Sequence, residues 1–316
     1  MNSKNIKNTT NTPRSVTNAL PTYSSAYTPV PFNKILGLTP LNAGSIVTLT
    51  GGCNNVVAIS WYTILEQAPN ATVVPDAAVR RNIVASGFPW RVRDKSSGIE
   101  MLLVPAGTFT IGEEGWNTPH TVTLTSAFYL GKTVVTQAQW HNKMGSHPSY
   151  FSGNANNPVE QVSWNDITGF HLATGLRLPT EAEWEYACRG GTTTAFHSMP
   201  GYPNGTNDDS PLGNIAWNAD NSGGTTHAVG GKSANAFGLY DMSGNVWEWC
   251  QDWYGDYCES KVTTPTEPSV GQYGAYRVLR GGCWDVNSSY CRSSSRDCTD
   301  PDDRSNSFGF RVARTP

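Results

Sequence analysis

The chain has 316 residues and a formal net charge of -3, with charged residues at only 15 %, so it lacks the broad basic field that grips phosphate backbones and no nucleic-acid partner is expected. No stretch approaches the ~20 apolar residues of a membrane span, so membrane insertion is not expected either. Gly (31), Pro (20), Trp (11) and Tyr (13) are numerous, which favours irregular loops and aromatic packing over long helices and suits a loop-rich α+β fold.

Residues 1–33 are rich in Asn, Thr, Ser and Pro without hydrophobic periodicity and read as a flexible arm or linker. Lys4 and Lys7 precede no apolar run, so no signal peptide is visible and secretion by that route is not expected. Residues 34–97 read as a small N-terminal module. There 45–50 alternates like a strand, 56–65 is an apolar run, and Asp76 caps a short helix closed by Gly87.

From Gly98 the spacing predicts two short strands around the Pro-Ala-Gly turn at 105–107, then a strand over His-Thr-Val-Thr-Leu at 120–124. Thr136 with Gln139 and Thr180 with Glu183 have the spacing of capping boxes, so two helices begin there. A third is predicted from Ser163, ended by Gly175. The seven cysteines, Cys53, Cys188, Cys250, Cys258, Cys283, Cys291 and Cys298, form an odd set with no C-x-x-C pair. A zinc knuckle is therefore not expected, and at least one thiol is left unpaired.

The segments V-P-A-G-T-F-T-I-G, P-V-E-Q-V-S-W-N-D, L-R-L-P-T-E-A-E-W-E-Y-A-C-R-G-G, N-A-F-G-L-Y-D-M-S-G-N-V-W-E-W and R-V-L-R-G-G-C-W with the closing G-F-R-V resemble, in order, the formylglycine-generating enzyme (sulfatase-modifying factor) family. The resemblance covers 98–316 and implies a variant of the C-type lectin fold, with little regular secondary structure, two helices and a short antiparallel sheet ending in the C-terminal strand. It also implies a structural calcium held by the side chains of Asp241 and Glu248 and the carbonyls of Gly244 and Val246, an oxygen-only set suited to a hard cation. No other cofactor is expected. The run W-E-W-C-Q-D-W-Y at 247–254 reads as core.

The family's oxidases carry two copper-binding cysteines five residues apart. On this chain the second matches Cys291 while the first position is Val286, and a single thiol cannot supply a two-thiolate site for Cu(I). Cys283, in place of the family's usual Ser, reads as buried or disulfide-bonded. The six histidines form no metal-binding cluster like that of the iron-dependent branch of the superfamily, and the serines have no triad context. The expectation is therefore a non-enzymatic protein.

Within the family the C-terminus is most similar to the variable proteins of diversity-generating retroelements, whose Asn template codons become NNC codons. NNC never encodes Lys, Glu, Gln, Met or Trp. Between Cys283 and Phe310 stand five aspartates but no Glu, Lys, Gln or Met, and the one Trp, Trp284, belongs to the family's frame. The resemblance implies a variable region at about 283–308 with ligand-binding positions Asp285, Val286, Asn287, Ser288, Tyr290, Asp297, Cys298, Thr299, Asp300, Asp303, Ser305, Asn306, Ser307 and Phe308. Arg292 and Arg296 are expected to be structural, tied to backbone carbonyls or to the local aspartates.

The sequence reading is thus a protein that binds a protein or other receptor on a host or target surface, set on a virion tail or fibre or on a cell surface. A homo-oligomer suits a fibre tip, although no heptad seam encodes one. The rival readings are a sulfatase-modifying-type copper oxidase and a structural module whose C-terminal segment is buried.

Overall fold

A computed structural model of the chain describes residues 60–257, 262–263 and 275–316. The expected arm at 1–33, the expected strand at 45–50, Cys53 and Cys258 lie outside the described residues. In chain order the elements are β1 (Tyr62–Glu66), α1 (Ala77–Ala85), β2 (Arg91–Asp94), β3 (Glu100–Val104), β4 (Gly107–Ile111), β5 (His120–Leu124), β6 (Phe128–Gly131), α2 (Gln137–Met144), α3 (Trp164–Thr174) and α4 (Glu181–Arg189). The second half is strand and loop: β7 (Ala216–Trp217), β8 (Ser243–Gly244), β9 (Trp247–Trp253), β10 (Val262–Thr263), β11 (Arg277–Arg280), β12 (Arg296–Thr299), β13 (Phe308–Gly309) and β14 (Ala313–Arg314).

The helices start where the sequence supplies a cap. Thr136 accepts from the Gln139 amide, and the Gln139 side chain accepts from the Thr136 amide in return. Thr180 and Glu183 do the same for α4. Ser163 pairs in this way with Asp166, a third reciprocal box behind the predicted start of α3. Gly175, at φ +73°, then turns the chain out of α3 in the left-handed region that a side chain disfavours.

The strands on either side of the Pro-Ala-Gly turn form as predicted but join different sheets. β3 lies in a five-stranded antiparallel sheet of order β1-β2-β3-β6-β14, while β4 pairs with β5, which also pairs with β10. The C-terminal strand β14 thus pairs with β6, as the fold resemblance implies. β1 and β2, from the stretch expected in the N-terminal module, continue this same sheet outward from β3. A third sheet, β12-β11-β9-β13, carries the C-terminal segment on both of its edges. Three helices, α2, α3 and α4, follow β6 where the resemblance implied two. The whole is α+β with short elements and long connections.

The core is aromatic. Trp184 and Trp249 are fully buried, and Trp247 with Cys250 joins them, so the W-E-W-C run is core as read. Phe310 meets Trp140 and Phe170 edge-on, which packs the C-terminal frame onto α2 and α3.

Charges run through this core in pairs. Arg311 is fully buried and holds Glu248 through two parallel bonds of 2.6 and 2.7 Å, while the Trp184 indole donates to the same carboxylate at 2.9 Å. The remaining guanidinium hydrogens reach the carbonyls of Gly131, Tyr240 and Asp241. An ion pair of this kind costs desolvation, and it holds only because every donor is used. Arg311→Met is expected to lose about 3–5 kcal/mol in denaturant unfolding, because it strands a buried carboxylate. The double variant Arg311→Met with Glu248→Leu is expected to recover most of that loss.

Candidate functional site

The C-terminal segment leaves the core at Gly281 and Gly282. A Cβ on Gly282 would lie 2.8 Å from the Tyr290 carbonyl and 2.9 Å from the Cys291 sulfur, and the residue sits at φ +74°, so the pair serves a kink and a close approach. Four arginines then fix the segment. Arg280, fully buried, binds Glu185 and the carbonyls of Ser293 and Ser295. Arg296 grips Glu181 through bonds of 2.6 and 2.9 Å and donates to the Gly255 carbonyl. Arg292 binds Glu113, which also takes the Ser294 hydroxyl at 2.6 Å. Arg311 closes the frame on Glu248.

Arg292 and Arg296 are structural as expected, but their partners are glutamates from β4's loop and from α4, outside the segment. Desolvation pushes the Glu181 carboxyl up, and Arg296 and Arg280 outweigh it, holding the group below the usual carboxylate range.

Between these anchors the predicted positions reach the surface. Asp285, Asn287, Tyr290, Asp297, Asp300 and Asp303 are exposed, and Val286, Ser288, Cys298, Thr299, Ser305, Asn306 and Phe308 are half-buried. Ser307 is the exception: it is buried, its carbonyl accepting from Trp247 and its hydroxyl facing Ser305 at 2.8 Å. Asn287 also has a local task, since its side chain accepts from the Ser289 amide at the start of a short 3-10 turn. A wholly buried segment, the rival structural reading, is therefore not observed.

Two of the three clusters come together. The Trp284 indole donates to the Asn306 carbonyl at 3.1 Å, tying 285–290 to 305–308. Trp247 lies beneath both, paired in register with Phe308 and edge-on to Tyr290 at 6.4 Å. The third cluster sits on β12, the opposite edge of that sheet from β13. From there the chain crosses the start of α3, where Asn165 bonds Asp302 and Arg304 holds Asp166 at 2.7 Å.

The five described cysteines are all free thiols. Cys283 and Cys291 are buried. Burial pushes the Cys291 thiol up to about 12, helped by the Asp220 charge, and pushes Cys283 up as well, helped by the hydrogen bond to Asp285. Val286 packs against both apolar clusters, the main one containing Cys283 and a smaller one containing Cys291. At the position of the oxidases' first copper cysteine there is thus only hydrocarbon, and Val286 with Cys291 does not fit a two-thiolate metal.

The residues expected to hold calcium are already engaged with protein groups. Both oxygens of Glu248 are occupied by Arg311 and Trp184, and the Gly244 carbonyl accepts from the Val246 amide. Asp241 accepts from the Gly230 amide at 2.7 Å. The positive charge that Glu248 needs comes from a guanidinium, so these four residues do not fit a divalent cation as a set.

Sequence reasoning missed a surface residue next to the segment. Tyr150 is exposed, and Phe151 beside it meets Trp284 edge-on at 5.1 Å. The signal that could have found them is Glu160, an acid between the valines of the run P-V-E-Q-V, whose carboxylate accepts the amides of both residues.

The sulfatase-modifying factor enzyme 1-like domain matches residues 90–316. The chain belongs to this family. The family match begins at Trp90 and so takes in β2, ahead of the boundary expected at Gly98. Formylglycine-generating enzyme of Streptomyces coelicolor is 38 % identical over 195 residues, which cover 57 % of this chain and 59 % of that enzyme. Serine/threonine-protein kinase pkn1 of Chlamydia pneumoniae is 40 % identical over 163 residues, which cover 51 % of this chain and 25 % of the kinase. The chain therefore spans between a quarter and about three fifths of these two relatives. Among solved structures, Treponema denticola variable protein 1 superposes with a TM-score of 0.62 at 32 % identity, covering 69 % of this chain and 95 % of that one. The C-type lectin-like, formylglycine-generating-enzyme-type fold is thereby established.

One expectation falls on this comparison. The chain was expected not to be an enzyme, and family membership with 38 % identity to a formylglycine-generating enzyme overturns that exclusion.

The electrostatics of Asp241 give a test. Burial pushes its carboxyl from 3.8 to about 6, so the folded chain holds the proton more tightly than the unfolded chain. Its contribution to stability is fully present below about pH 4 and is lost as pH rises through about 6, on the order of 2–3 kcal/mol at most. Asn accepts the left-handed backbone found here, φ +54°. In thermal melts from pH 4 to 7, Asp241→Asn is expected to remove this fall, and chelators are expected to shift neither curve.

Proposed function

We propose that this chain is a receptor- or ligand-binding protein that presents 283–308 as its contact face, with the face positions rewritten by a diversity-generating retroelement. The observation that supports the reading best is the separation of frame from face. Arg280, Arg292, Arg296 and Arg311 bind carboxylates outside the segment, whereas thirteen of the fourteen predicted side chains reach the surface. A rigid scaffold of this kind tolerates changes in its displayed side chains without losing its fold. Tyr290 and Phe308 supply aromatic anchors, and the aspartates and serines supply adaptable polar contacts. The likeness to a variable protein adds support. The partner in this reading is a protein or other receptor on a host or target surface, and the setting is a virion tail or fibre or a cell surface.

Sequencing the 3′ end of the gene across its native population tests this. Substitutions are expected to be confined to NNC codons at the face positions, beside a near-copy template and a reverse-transcriptase gene. Purified versions differing at Asp285, Asp300 or Asp303 are expected to stay within about 0.5 kcal/mol of one another in stability. An invariant C-terminus without a template would sink the reading.

A second reading is formylglycine formation on a peptide cysteine. It is supported by the enzyme relatives and by Cys291, whose sulfur lies beside Gly282 at the position of the oxidases' second cysteine. On this reading the chain converts a cysteine-containing peptide, followed by mass spectrometry, and Cys291→Ala abolishes the conversion. A wild-type chain that leaves the peptide unchanged with copper supplied would exclude it.

A further inference from the structure

Tyr150 is 68 % exposed, yet it is not a loose surface side chain. Its ring meets Phe151 edge-on at 5.0 Å, Phe151 meets Trp284 in the same way, and Trp284 binds the two halves of the C-terminal face to each other. Three aromatic rings therefore run from solvent into the middle of that face.

The loop that carries Tyr150 is held by a buried acid. The Glu160 carboxylate accepts the Tyr150 amide at 3.0 Å and the Phe151 amide at 2.9 Å, and the Glu160 backbone amide donates to the Ser149 hydroxyl. Glu160 is fully buried and has no ion-pair partner among the described residues. Burying a carboxylate in this way is unfavourable, and what it secures here is the backbone that turns Tyr150 outward. Ser149 and Ser152, on either side of the Tyr150–Phe151 pair, also line a hollow of about 410 Å³ against α2, walled by Ala138, Pro148, Ala155 and Val159. Gln137, His141 and His147 also line it, and a preformed hollow with such an apolar wall and polar edge, beside a rigid aromatic, can take up an anchoring side chain.

The charge around the face is acidic. Asp285, Asp297, Asp300, Asp302 and Asp303 are exposed, Asp209 takes the Ser288 hydroxyl, and the exposed cation of the segment, Arg304, is held by Asp166. A basic partner complements this rim.

We infer that Tyr150, Phe151 and the hollow behind them are a fixed part of the contact face, and that the partner is a basic protein surface that seats an apolar side chain in the hollow. The inference rests on the reading of 283–308 as a contact face and adds to it a constant anchor that the sequence segment does not contain.

Peptides selected from a displayed random library against the full chain are the probe, with affinity read by fluorescence anisotropy. The selected peptides are expected to combine an aromatic or aliphatic residue with lysine or arginine and to weaken with added salt. They are expected to lose affinity by about tenfold or more with Tyr150→Ala and with Ala155→Trp, which fills the hollow, while Tyr150→Phe binds like the wild type. Unchanged melting temperatures of the variants exclude unfolding as the cause. Peptides that depend on Tyr290 but ignore Tyr150→Ala and Ala155→Trp would overturn the inference and leave the C-terminal face standing. Peptides that need Tyr150 but ignore Asp285→Ser and Tyr290→Ser would uphold the anchor and remove the C-terminal reading. Acidic consensus peptides, or binding to neutral glycans with no peptide selected, would overturn the basic protein partner.

Discussion

Two carboxylates on one buried face of α4, Glu181 and Glu185, dictate how the C-terminal third of the chain can lie. Glu185 receives Arg280 and Arg189 and also the Gly112 amide, while Glu181 receives Arg296 and the Tyr257 hydroxyl. A buried charge without its partner is so unfavourable that the chain must return to this helix at Arg280, just before the segment, and again at Arg296, midway through it. Strands β11 and β12, which carry Arg280 and Arg296, are thereby brought together as neighbours, and the excursion between them is forced outward. Arg311 on Glu248 repeats the constraint at the end of the chain.

This arrangement separates two demands that usually conflict. Stability resides in pairs whose acidic members come from β9, α4 and the loop after β4, and whose basic members are Arg292 and Arg296 within the segment and Arg280 and Arg311 on either side of it. The exposed side chains of 283–308, by contrast, have few obligations to the core. The separation is incomplete at Val286, Ser307 and Phe308, where the face also packs against the interior. Replacement there alters both properties together, so these positions have a narrower range of acceptable side chains than Asp285 or Asp300.

Much of the local structure was legible because it is written in short-range chemistry. The reciprocal caps at Thr136 and Thr180 and the glycine stop at Gly175 each act within a few residues, and each stands where the sequence placed it. The buried charges were not legible as such. Glu181, Glu185 and Arg189 recur every fourth residue and look like the polar face of a surface helix, and only their distant partners turn that face inward. The ion pair at the residues expected to hold calcium was hidden for the same reason: Asp241 and Glu248 carry oxygen ligands in a suitable pattern, and the guanidinium on Glu248 comes from Arg311, far along the chain. Likewise β1 and β2 give no local sign that they extend a sheet completed by β14. Tyr150 escaped notice because the acid that holds it out, Glu160, sits ten residues away.

The position of β14 has a consequence for how the molecule is made. It is the edge of the five-stranded sheet, paired with β6 and bridged to Arg177, and it follows the displayed segment in the chain. The sheet therefore cannot be completed during synthesis until 283–308 and the strand after it have emerged. A version of the segment that fails to reach α4 leaves the edge of β6 bare and the carboxylates unpaired, a state open to proteolysis. In such a topology the scaffold acts as its own inspector: a chain whose segment cannot dock on the frame is removed, and those that persist carry segments compatible with it.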